Sequence, residues 1–204
     1  TGWLIEYALS LDNIFVIALI FTHFRIPSQY QHRVLFWGIL GALVLRGVMI
    51  YAGTTLVERF AWTLYVFGAL LLGTAIKLLF QNEEKFDPEK GFTYRIASRV
   101  LPLTPTLHGQ AFYTHIDGKR VFTPLFLVLL IVETTDVVFA VDSIPAIIAI
   151  TTDKFLVFTS NVFAILGLRS MYFALSALMD KFKYLKFSLA FILAFVGVKM
   201  LIKK

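Results

Sequence analysis

Apolar residues fall into six long blocks separated by short polar breaks. A bilayer core about 30 Å thick needs roughly 20 apolar residues per helix. By that ruler the pattern predicts spans over residues 3–21, 34–56, 61–80, 124–150, 155–179 and 187–202. The breaks carry Arg25-Ile26-Pro27-Ser28, Glu58-Arg59, Asp153-Lys154 and Asp180-Lys181. Residues 81–123 form the one long connection. Within it Phe92, Ile96 and Val100 recur at i, i+4 with Arg95 and Arg99 between them, the pattern of an amphipathic interfacial helix. Asp117-Gly118 inside 112–122 predicts a hairpin with a type I′ turn. Both elements are expected to serve packing and the interface rather than chemistry. The first span has no basic leader or small-residue cleavage site before it. With no starting Met, the chain reads as a core taken from a longer protein.

Composition agrees with the pattern. Apolar residues make up 58% and charged residues 16%, against about 25% charged in soluble chains. Mean hydropathy is +0.79. A soluble domain could not hide so much apolar surface. The absence of Cys removes a disulfide scaffold and any Cys-based zinc or redox site. There is no nucleophile–base pair and no phosphate loop, so an enzyme is not expected. His23, His32, His108 and His115 lie in connections with no metal-ligand spacing.

The net charge of +6 is an orientation signal. Of the 19 Lys and Arg residues, 11 lie in the connections after spans one, three and five, 4 on the other side and 4 within spans. The positive-inside rule then puts those odd connections in the cytoplasm of a multi-pass inner (plasma) membrane protein. Basic residues edge the spans instead of forming a folded stripe, which argues against nucleic-acid binding.

The chain also repeats itself. Glu6 to Ile14 matches Asp136 to Ile144 at an offset of 130, Leu45-Arg46-Gly47 matches Leu168-Arg169-Ser170, and Lys77 matches Lys199. Each half therefore reads acid, acid-polar, Arg, Lys. Three spans per half is odd, so the second half enters the membrane from the opposite side. The expected fold class is an all-α polytopic membrane helix bundle, six transmembrane helices arranged as two inverted three-helix repeats. Residues 1–80 and 124–204 are the repeats, and 81–123 is the cytoplasmic connection.

Nine charges sit inside spans: Glu6, Asp12, Glu133, Asp136, Asp142, Arg46, Lys77, Arg169 and Lys199. Unpaired in lipid they would cost on the order of 20–30 kcal/mol. They must pair, neutralise or line a wet cavity. The arginines could pin helices by pairing alone, and the lysines, near helix ends, could simply snorkel. Five acids on two helices outnumber the bases, however, and Ser10, Asn13, Thr134, Thr135 and Ser143 beside them add only oxygen. Oxygen clusters suit hard divalent cations such as Mn²⁺, Ca²⁺ or Mg²⁺. Pro145 predicts a broken helix with a freed carbonyl at Val141 near the midplane. Gly38, Gly41, Ala42, Gly68, Gly73, Ala190, Ala194 and Gly197 predict close helix approach.

Glu6–Ile14 (EYALSLDNI) and Thr135–Ile147 (TDVVFAVDSIPAI) resemble the two signature stretches of the TerC/Alx family of integral membrane proteins, and the likeness covers essentially the whole chain. It implies manganese export and homeostasis, an association with tellurite resistance, and a place among 3+3 repeat transporters of the lysine-exporter type. By position it implies metal handling by Glu6, Asp12, Asn13, Asp136, Asp142 and Ser143. Glu133, Arg46, Arg169, Lys77 and Lys199 are expected as supporting or proton-carrying groups, with Asp12 and Asp142 facing each other across the repeat axis. No cofactor is expected to bind tightly; the divalent cation is the cargo. The expected partners are the bilayer, the ion, and other membrane proteins or further copies of the chain. Two alternatives stay open: an exporter of a small organic ion, or a scaffold that hands metal to partner proteins without net transport.

Overall fold

The computed structural model describes residues 2–80, 88–175 and 185–202. Its helices are α1 (Gly2–His23), α2 (Ser28–Arg59), α3 (Thr63–Phe80), α4 (Phe92–Val100), α5 (Pro124–Ile148), α6 (Lys154–Leu175) and α7 (Leu185–Ile202). A short 3-10 turn, Pro88–Lys90, precedes α4. Strands β1 (Tyr113–Ile116) and β2 (Lys119–Phe122) pair antiparallel between α4 and α5. Helices α2 and α5 are long and apolar enough to cross a bilayer; the described apolar stretches of the others are shorter. The connection around Asp180-Lys181 lies outside the described residues.

Local chemistry sets the element ends. Asp117 (φ 50°) and Gly118 (φ 75°) both take positive φ, the type I′ combination that Asp-Gly favours. At the end of α1, Arg25 adopts φ 50°, while the Ile26 N–H donates to Phe21 O at 2.9 Å and the Arg25 N–H to Thr22 O at 3.2 Å. That pair of bonds is a Schellman cap with a non-glycine residue in its left-handed position. Arg25→Gly is expected to raise stability by about 0.5–1 kcal/mol by removing the left-handed Cβ penalty. A thermal melt in detergent checks this, with Arg25→Val, β-branched at the same φ, expected to move the other way.

Helix α5 corrects one expectation. It continues through Pro145 to Ile148, and the Ala149 N–H still donates to Pro145 O at 3.0 Å. Proline loses its own N–H and its ring crowds the Val141 carbonyl, but here only the last turn of α5 follows it. The helix is not broken near its middle.

Packing pairs α2 with α5, α1 with α6 and α3 with α7, while α1 also touches α5 and α2 touches α6. The largest core cluster gathers Ile14, Ile17 and Phe21 of α1, Val34 and Leu35 of α2, Leu125 and Val128 of α5, and Ile165 and Tyr172 of α6. Helices α3 and α7 meet backbone to backbone. A Cβ at Gly197 would lie 3.0 Å from Gly68 O, and one at Gly68 3.1 Å from Gly197 O. The ends of the bundle are tied as well. Lys154 at the start of α6 reaches Glu58 near the end of α2 at 2.9 Å, and His23 at the end of α1 reaches Glu89 at 3.4 Å.

Candidate functional site

A charged network is sealed where α1, α2, α5 and α6 converge. Arg46, 2% exposed, and Asp136, 4% exposed, face each other from α2 and α5. Arg46 Nε donates to Asp136 Oδ2 at 3.0 Å and its Nη2 donates to Oδ1 at 2.8 Å. This two-pronged geometry is the strongest form of the arginine–carboxylate pair. Asn13 of α1 adds a third bond, Nδ2 to Asp136 Oδ1 at 2.8 Å. Arg46 Nη1 turns the other way and donates to Asn161 Oδ1 on α6 at 3.0 Å. Asn161 in turn donates to Val157 O within its own helix. One guanidinium thus joins three helices, and Asn13 brings in the fourth.

Helical spacing explains which polar residues share this junction. Asp136, Ala140 and Ser143 stand at i, i+4 and i+7, one strip of α5, and all three are buried. Ser10 and Asn13 form the corresponding strip of α1 at i, i+3, also buried. Four oxygen atoms on these two helices are buried without a hydrogen-bond partner among the described residues: Ser10 Oγ, Asn13 Oδ1, Glu133 Oε2 and Ser143 Oγ. Two others, Thr55 Oγ1 and Thr63 Oγ1, lie away from the junction, near the end of α2 and at the start of α3. A cavity of about 30 Å³ opens beside Asn13 and Asp136, walled by Gly38, Ala42, Ile165 and Tyr172 among others. That is room for about one water molecule. Tyr172 donates its hydroxyl to Gln31 Oε1 at 3.0 Å and meets Phe21 edge to face.

Asp142 belongs elsewhere. Six residues beyond Asp136, it is turned by about 240° on the helix and accepts a hydrogen bond from Thr74 Oγ1 of α3 at 2.9 Å. Lys77, one turn further along α3, is exposed. Among the described residues the contact that Asp142 makes is with α3; the expected apposition with Asp12 involves a side chain outside the described residues. The side chains of Glu6, Asp12 and Arg169 lie outside the described residues. Lys199 is exposed on α7 and borders an apolar groove with Phe195 and Ala149. Glu133, one turn before Asp136, presses on Gly41 of α2, where a Cβ would collide with its carboxylate. Among the described residues no three acidic or histidine side chains converge on one point.

Sequence reasoning missed Asn161 and Thr74, the partners of Arg46 and Asp142. A neutral polar residue hardly lowers the hydropathy of a span. The signal available was position, since Asn161 shares a span with Arg169 and Thr74 stands one turn from Lys77.

Two apolar helices of membrane-crossing length and a buried charged network are consistent with a predominantly helical integral membrane protein. A sequence profile described as the integral membrane protein TerC family matches residues 1–204. The chain belongs to the TerC family. Its curated relatives include an uncharacterized membrane protein of Myxococcus xanthus, 55% identical over 202 residues, and another of Rickettsia felis, 50% identical over 202 residues. A putative membrane-bound redox modulator Alx of Photorhabdus laumondii is 51% identical over 203 residues. Each match takes in 99% of this chain and 63%, 67% and 63% of the respective relative. The chain thus spans about two-thirds of the length of these proteins. No solved structure matches it.

Proposed function

We propose that this protein exports a divalent metal cation, Mn²⁺ foremost, across the inner membrane in exchange for protons, through six spans in two inverted three-helix repeats. The observation that carries this reading is the set of buried oxygens without partners on α1 and α5. A buried polar atom left without a hydrogen bond costs about 1–3 kcal/mol. These atoms are carboxylate, amide and hydroxyl oxygens, and a hard cation satisfies such atoms directly. Asn13, Asp136 and Ser143 border the path with Glu6 and Asp12 on the same helix as Asn13, while Asp142 takes the ion on the side facing α3. Arg46 keeps Asp136 neutralised when no ion is present. By the repeat, Arg169 does the same for Glu6. Glu133, Lys77 and Lys199 are the groups left for proton exchange and charge balance.

Two further features support the repeat. Exchanging the halves turns α1 into α5, α2 into α6 and α3 into α7. Under that exchange the α2–α5 contact becomes α6–α1, and α3–α7, α1–α5 and α2–α6 map onto themselves. Among the described residues, the contacts at the bundle ends also join connections that a six-span path puts on one side: Glu58 with Lys154, His23 with Glu89. A relative named as a redox modulator fits a redox-active cargo. These 204 residues hold no Cys, so within them redox influence would run through the metal rather than a thiol couple.

The test is flux into liposomes loaded with a Mn²⁺-sensitive dye. Asp142→Ala and Asp12→Ala are each expected to cut initial rates by at least about tenfold, the equivalent of roughly 1.4 kcal/mol in the barrier. Ser143→Ala should cut them by less. Wild-type rates in both aspartate variants would overturn the assignment, and Mg²⁺ or Ca²⁺ competition ranks the cargo.

A further inference from the structure

The outer surface of α4 divides into two strips that share no partner among the described residues. Tyr94 and Ala97 face inward. Ala97 is 4% exposed within the main core cluster, and Tyr94 packs on Phe24 at the end of α1 with ring centroids 6.3 Å apart. Phe92, Ile96 and Val100 line the opposite side at 76%, 44% and 72% exposure. On a helix of 3.6 residues per turn these three fall within about 80° of arc, and Arg95 and Arg99 occupy the adjoining 60°. Both arginines are exposed. The apolar strip and the basic strip therefore lie side by side.

We propose that α4 docks on the bilayer surface through acidic phospholipids, its apolar strip entering the acyl boundary and Arg95 and Arg99 binding headgroup phosphates. Position favours this occupant. The helix is anchored beside the end of α1 and packs on α5, so it lies at the rim of the helical bundle and not along its side. Charge favours it too, because two guanidinium groups next to an apolar strip complement an anionic interface. Size argues against a protein partner. Nine residues make a helix about 13 Å long, and three side chains fall far short of the roughly 1,000 Å² that a specific protein interface buries.

The chain has no Cys, so a single cysteine carries a probe cleanly. An environment-sensitive fluorophore goes on Ile96→Cys in one sample and on Ser98→Cys, on the other side of α4, in a second. Each is reconstituted in vesicles of phosphatidylcholine with increasing phosphatidylglycerol. The probe at 96 is expected to be quenched by brominated lipid and shielded from aqueous iodide, increasingly so as phosphatidylglycerol rises. The probe at 98 should stay open to iodide throughout. Arg95→Gln and Arg99→Gln should each raise the phosphatidylglycerol content needed for half-maximal shielding by about fivefold, the equivalent of about 1 kcal/mol per basic residue, and salt should do the same. Equal iodide access at both sites, or indifference to headgroup charge, overturns the proposal. So does a probe at 96 shielded from both quenchers, which would mean that protein covers the strip.

Discussion

Arg46→Leu destabilises the folded bundle by about 3–5 kcal/mol, the cost of leaving a buried carboxylate without its partner. The variant strips Asp136 of two of its three hydrogen bonds and releases Asn161 at the same time. Asp136→Leu alone should cost a similar amount, because it takes the paired carboxylate from a buried guanidinium. The double variant should recover most of the loss, since two apolar side chains can replace a buried pair at little cost. Thermal unfolding in detergent, run as a double-mutant cycle, measures the coupling. Additive losses would mean that the pair does not hold α2 to α5.

Gly197→Leu is expected to cost about 3 kcal/mol or more by forcing α3 and α7 apart. A Cβ there meets Gly68 O and Leu72 Cγ, each at 3.0 Å, and Leu72 N at 3.2 Å. Two of the three are backbone atoms, which have no rotamer through which to yield, so overpacking falls on the helix axes themselves. Gly73→Ala is the matched control, because a Cβ at Gly73 meets nothing within 4 Å. The first change should lower the melting temperature by several degrees, and the second should leave it in place or raise it slightly, as Ala replaces Gly inside a helix. A Gly197→Leu protein that melts like wild type would show that the helices do not touch there.

Gly68 and Gly197 illustrate what the sequence reveals. Both stood out as small residues, and so did Gly73, yet only the first two sit at a helix crossing. Composition marks where close approach is permitted; the azimuth of the neighbouring helix decides where it occurs. The charged positions follow the same logic. Hydropathy exposes every ion inside a span, so Arg46 and Asp136 were visible as costly residues. Their pairing was not, because the two lie 90 positions apart and Glu6 and Asp12 were equally eligible acids. The turn between Asp136 and Asp142 could be computed from the helical repeat. That this turn brings Asp142 to Thr74 depends on α3 standing beside α5, which no local pattern states. By contrast the Asp117-Gly118 turn was readable in full, since its φ values follow from two adjacent residues. Pro145 misled for a related reason: a proline reports a lost N–H, but its consequence depends on how far the helix still has to run.

The span of 90 residues between Arg46 and Asp136 also sets a schedule for synthesis. At about 5–20 residues per second, the guanidinium is made roughly 5–20 s before the carboxylate that neutralises it. Helix rearrangements run on microseconds to milliseconds, so the young chain has ample time to settle wrongly. During that interval α2 carries its cation without Asp136, and of the acids within spans only those of α1 have been made. The first half must therefore hold Arg46 in the interim, against an acid of α1 or in the water of the insertion channel, until α5 brings Asp136 to it. Assembly of this bundle is ordered in time, and the Arg46–Asp136 pair is completed only when the second half arrives.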